Sequence, residues 1–126
     1  MSERIVRISG ITPQKKRSRF NVIVDDSFWC GVSASVLARF NLYEGKELSE
    51  DDLVEVFRSD IEGRLYERCL RSIGTRPRSE KELRRYLREV IRKKSGEWLK
   101  GSRFEGDKIV LDDIKEKVIE IGRAHV

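Results

Sequence analysis

The chain has one histidine, two cysteines, two prolines and one methionine in 126 residues, and these scarcities exclude several kinds of chemistry. His125 alone supplies no general base for a serine or cysteine triad, and a metal site built on imidazoles has nothing to work with. Cys30 and Cys69 stand apart, without metal-ligand spacing, among apolar neighbours; they read as buried free thiols. No stretch approaches the roughly 18 apolar residues of a membrane span, and Met1-Ser2-Glu3-Arg4 has no apolar signal segment, so cytoplasm is the expected compartment. A phosphate-binding loop is also missing. Gly45-Lys46 has Phe40 where such a loop requires glycine, and Glu47 follows the lysine instead of Ser or Thr. Paired acids at Asp25-Asp26, Asp51-Asp52 and Asp112-Asp113 fall at turns or helix starts, where turn chemistry and the helix dipole account for them. The expectation is a binding or regulatory protein that is not an enzyme and carries no metal or other cofactor.

Charge is what the chain has in quantity. Charged residues make up 39% of it and hydrophobic residues 38%, with a formal net charge of +5. That composition still folds, as one domain or two very small ones burying roughly two thirds of the unfolded surface. The charge is unevenly spread. Residues 76–94 hold nine basic side chains against three acidic ones, whereas residues 44–62 hold eight acidic against Lys46 and Arg58. A second basic cluster, Lys15-Lys16-Arg17 with Arg19, lies nearer the N-terminus. Such polarity suits contact with a polyanion or an acidic protein surface.

The fold expected is α+β: a small N-terminal antiparallel sheet with a short helix, followed by an all-α three-helix repeat. Residues 4–12 alternate as a strand does, Pro13 to Ser18 connect, and Phe20 to Val24, the turn Asp25-Asp26-Ser27 and Phe28 to Val32 make a hairpin. The segment Ser33 to Phe40, with Val36, Leu37 and Phe40, is the nearest cover for these three strands. Three serines then stand three residues before an acid: Ser49 with Asp52, Ser59 with Glu62, and Ser79 with Glu82. Each reads as a helix cap. Ile61, Leu65, Cys69 and Ile73, widened by Tyr66 and Leu70, form the apolar stripe of a helix that Gly74 stops. Lys93 to Asp107, with three glycines, reads as a long loop whose Trp98 and Phe104 pack back on the core, and a last helix starts near Asp112 or Asp113 with Ile114, Val118 and Ile121 before Gly122. Residues 1–48 are thus expected to form the β-rich domain and 49–126 the helical region, its repeat spanning about 60–122.

Arg76-Pro77-Arg78-Ser79-Glu80-Lys81-Glu82-Leu83-Arg84-Arg85-Tyr86-Leu87-Arg88 spells out a helix start. Pro77 cannot continue a preceding helix, and Ser79 and Glu82 can exchange capping hydrogen bonds. Leu83, Leu87, Val90 and Ile91 then share one face, and Lys81, Arg84, Arg85, Arg88 and Arg92 share another. The candidate partner- or DNA-binding residues are Arg76, Arg78, Lys81, Arg84, Arg85, Arg88, Lys15, Lys16 and Arg17.

Two stretches resemble the bacterial RecX regulators. Ile8 to Arg17, Arg19-Phe20-Asn21-Val22 with Asp25, Phe28 to Ser33 with Val36-Leu37, and Leu42 to Leu48 resemble the family's N-terminal region; Leu70 to Leu87, through Thr75-Arg76-Pro77-Arg78-Ser79, is similar to the opening of its first three-helix repeat. The resemblance implies a monomeric cytosolic modulator of the RecA recombinase that lodges in the groove of the RecA filament on single-stranded DNA and restrains its ATPase, strand-exchange and coprotease activities in DNA repair and the SOS response. It also implies that this chain is an N-terminal portion or a shortened member, since the family usually continues into further repeats. A free-standing basic DNA-binding module without enzymatic activity is the alternative.

Overall fold

The computed structural model describes residues 4–15, 18–75 and 79–117. Strand β1 (Ile5–Pro13) alternates as expected, with Val6 and Ile8 buried and Arg7 outside, and pairs antiparallel with β2 (Arg19–Val24). β2 turns back into β3 (Ser27–Ser33) through Asp25 and Asp26, whose φ values are 49° and 68°. Two left-handed residues in a two-residue connection match the right-handed twist of the flanking strands, and Asp tolerates that conformation better than most residues. A fourth strand was not expected. β4 (Glu47–Ser49) lies against β1 with Leu48 opposite Val6, giving the sheet order β3-β2-β1-β4.

The short helix α1 (Ala34–Arg39) is capped by Ser33, whose Oγ accepts from the Val36 amide at 3.2 Å, and contributes Val36 to the core with Leu37 and Phe40 at its margin. Most of the cover comes instead from α2 (Glu50–Thr75), which lays Leu53, Val56, Phe57 and Ile61 on the sheet. Burying each such side chain contributes about 1.5–3 kcal/mol. α2 is a single helix, which corrects the reading of Ser59 as a cap. The apolar stripe Leu53, Val56, Phe57, Ile61, Leu65, Cys69 passes Ser59 without losing phase, so nothing interrupts the helix there, and the Ser59 hydroxyl accepts from Arg39 Nη1 at 2.8 Å. Ser49 does cap it, accepting from the Asp52 amide at 3.1 Å. Both cysteines are buried free thiols. The stripe fades beyond Cys69: Leu70 and Ile73, expected inside, are 50% and 47% exposed, while Cys69 and Ser72 on the same turns are buried.

Helix α3 (Glu80–Trp98) and helix α4 (Glu105–Glu116) replace the expected long loop, leaving only Leu99 to Phe104 between them. The glycines misled the reading in two ways. Gly96 faces open space within α3, where glycine costs only about 1 kcal/mol relative to alanine, while Trp98 at the end of that helix is buried. Gly106 sits at the α2–α4 crossing, where a Cβ would come within 2.7 Å of Val54 Cγ2; it is an approach point between helices. Trp98 and Phe104 pack on the core as expected. Val118, Ile121 and Gly122, placed by sequence in the last helix, lie outside the described residues. No helix among the described residues is long and apolar enough to cross a membrane.

Candidate functional site

α3 builds the site. Ser79 Oγ accepts from the Glu82 amide at 3.1 Å and donates to Glu82 Oε1 at 3.4 Å, so the helix starts where the capping signature predicts. Leu83, Leu87, Val90 and Ile91 are buried against the rest of the core. Burial of that face turns Lys81, Arg84, Arg85, Arg88 and Arg92 away from the core, where they line a groove of about 390 Å³ with Glu89 and with Lys115 of α4. Arg88 Nε donates to the Lys115 carbonyl at 3.3 Å, holding the two walls together.

The groove is electrically uncompensated. Its one carboxylate, Glu89, is taken by Arg92 and lies 3.8 Å from Lys93; the hydrogen bond from Arg92 holds the Glu89 carboxyl below its ordinary range. Arg84 reaches Glu80 only at 3.8 Å, an exposed i,i+4 pair of small worth. Among the described residues Lys81 and Arg85 have no ion-pair partner.

Of the candidate residues, the structure therefore joins Lys81, Arg84, Arg85 and Arg88. Arg76, Arg78, Lys16 and Arg17 lie outside the described residues. Lys15 is exposed but belongs elsewhere, on a second groove with Arg19, Arg64, Trp98 and Lys100. Lys115 escaped the sequence reading because no spacing rule within one helix relates it to α3.

Other charges are structural. Asp60 of α2, 4% exposed, accepts from Arg19 Nη2 and Arg64 Nε, both at 2.9 Å, and from the Ser33 amide at 3.0 Å. Arg19 and Arg64 also donate to the Gly31 carbonyl, so this cluster ties β3 to α2. At the start of α4, fully buried Asp107 accepts from Trp29 Nε1 at 3.0 Å and from the Ser102 hydroxyl, and burial pushes its carboxyl above the ordinary range. Arg103 donates to the carbonyls of Val24 and Phe28 at 2.7 and 3.2 Å, fastening the α3–α4 connection to the sheet. Among the described residues no three His, Cys, Asp or Glu side chains are grouped to hold a metal ion.

Comparison with known proteins places this geometry. The model of the regulatory protein RecX N-terminal domain matches residues 6–49, and that of the RecX first three-helix domain matches residues 66–89, together more than half of the chain. The chain belongs to the RecX family. The first RecX match runs from β1 to β4; the second covers the end of α2 and the first half of α3, and so takes in Lys81, Arg84, Arg85 and Arg88. Regulatory protein RecX of Bacillus velezensis is 40% identical over 83 residues, covering 65% of this chain and 32% of its own length. That of Listeria innocua is 35% identical over 85 residues, covering 67% of this chain and 32% of its own length. The chain thus spans about a third of the length of these curated relatives, whose names are those of regulators. A crystal structure of regulatory protein RecX superposes with a TM-score of 0.55 at 24% identity, over 90% of this chain and 51% of the other, and shares the fold.

Proposed function

We propose that this chain is a non-enzymatic regulator that binds the RecA recombinase filament and restrains its recombination, ATPase and coprotease activities, acting as a monomer in the cytoplasm during DNA repair and the SOS response. The observation that carries the reading is the α3–α4 groove, where six cations face one engaged carboxylate and four of them, Lys81, Arg84, Arg85 and Arg88, fall in the segment that matches the RecX three-helix model. Arg84, Arg85, Arg88 and Lys81 meet acidic filament surface or the phosphates of its DNA, with Arg76 and Arg78 beside them in sequence and Lys15, Lys16 and Arg17 contributing from the N-terminal region. At physiological salt the Debye length is about 8 Å, so these charges act by close contact and not at a distance. A β-rich unit to residue 48 and a helical unit from residue 49 belong to the same reading.

The test is ATP hydrolysis by RecA on single-stranded DNA, titrated with the chain. Hydrolysis falls with the parent chain and recovers with the Arg84→Gln, Arg85→Gln, Arg88→Gln variant; unchanged hydrolysis at saturating protein overturns the proposal.

A further inference from the structure

The second groove, of about 530 Å³, lies between the sheet and the C-terminal end of α3. Phe28 of β3 lines it and is 43% exposed, although its neighbour Trp29 is completely buried. Gly101 lies against one edge of the ring, and the backbone behind it is anchored. Gly101 approaches so closely that a Cβ there would lie 2.5 Å from Phe28 Cδ2, and Arg103 fixes the Phe28 carbonyl. An accessible aromatic ring therefore borders a cavity of the size that small ligands fill.

The charges around the ring divide into spent and unspent. Arg64 is committed to Asp60, and its guanidinium lies over the Trp98 ring at 5.8 Å, so neither is open to a partner. Glu97, the one acid lining the groove, is 3.5 Å from Lys94. Lys15 and Lys100 line the same groove without an ion-pair partner among the described residues. What is left over is one aromatic platform and two cations.

We propose that this groove seats a nucleotide of single-stranded nucleic acid, with its base on Phe28 and its phosphates against Lys15 and Lys100. An acidic peptide would satisfy the lysines and leave the ring without a partner, whereas a nucleotide presents a flat π-face and an anion together. The strand must be single, because bases stacked inside a duplex cannot reach a protein ring. None of these three residues lines the α3–α4 groove; Phe28 and Lys100 belong to this site alone, while Lys15 is shared with the proposed RecA contact.

The experiment is fluorescence anisotropy of a labelled oligothymidylate of about ten nucleotides with the full chain, across a range of salt. Phe28→Ala weakens binding roughly ten-fold and Phe28→Tyr retains it, as loss and retention of stacking require. Lys15→Gln with Lys100→Gln lowers the magnitude of the salt slope by about 1.4, two phosphate contacts' worth for a single strand. Each variant's thermal melt is checked against the parent, and the Tyr and Gln variants keep the test open if Phe28→Ala unfolds. Binding unaffected by Phe28→Ala in a folded protein overturns the proposal; so does oligoglutamate competing as well as oligothymidylate, which would make the partner an acidic peptide. Phe28 takes no part in the proposed RecA contact, so a failure of the Phe28→Ala arm leaves RecA ATPase inhibition untouched, and the reverse also holds.

Discussion

Two groups of arginines in this molecule look alike in sequence and differ in every physical respect. Arg19 and Arg64 converge on a buried carboxylate and each also donates to the Gly31 carbonyl. Arg84, Arg85, Arg88 and Arg92 share their groove with one acid, which Arg92 already holds. The first set closes a contact between strand and helix; the second leaves charge at the surface for something else to neutralise. Local density of arginine therefore says little about function until each side chain's partners are counted.

Asp60→Ala would break this contrast most severely. It strands two guanidinium groups and the Ser33 amide in a largely buried site, and the expected loss is about 3 kcal/mol in urea unfolding. A loss under about 1 kcal/mol would place the cluster with ordinary surface pairs. The two shifted aspartates come next. Asp107 has its carboxyl raised by burial, so its folded state binds the proton more tightly than the unfolded chain does. Stability is then lost as pH climbs from the ordinary carboxylate range through the raised value, and Asp107→Asn melts higher than the parent by a margin that widens with pH. Asp113 is lowered, chiefly by the hydrogen bond from Arg58 at 2.9 Å. Its contribution is present above the ordinary value and lost as pH falls through the lowered one, so Asp113→Asn melts below the parent at neutral pH and the gap closes on acidification. Melting temperatures across the acid-to-neutral range check both signs. The smallest effect belongs to the α3 groove. Arg84→Gln, Arg85→Gln and Arg88→Gln each change stability by no more than about 0.5 kcal/mol, whatever they do to binding.

Periodicity carried the reading wherever one element held all the information. β1 to β3, the Ser49 and Ser79 caps and the division of α3 into apolar and basic faces are each local patterns, and each stands in the structure. The failures share the opposite property. β4 is three residues long and exists only because β1 supplies its hydrogen bonds. Ser59 bears the same serine-to-glutamate spacing as a cap, and only the unbroken packing of α2 on the sheet shows that the helix runs through it. Gly106 punctuates a sequence but in space marks a helix crossing. For the candidate site, the basic face of α3 was legible and its opposite wall at Lys115 was not, nor was the separation of Lys15 from that wall.

α2 has 26 residues, about 39 Å of continuous helix, and the sheet, α3 and α4 all pack on it, α4 through Val54 and Arg58 in its first half. Both grooves are borne by elements clamped to this one rod, which makes it a ruler. The strand that carries Phe28 and the helix that carries Arg85 both pack on this rod, so the spacing between the two grooves is set by packing and not by a linker.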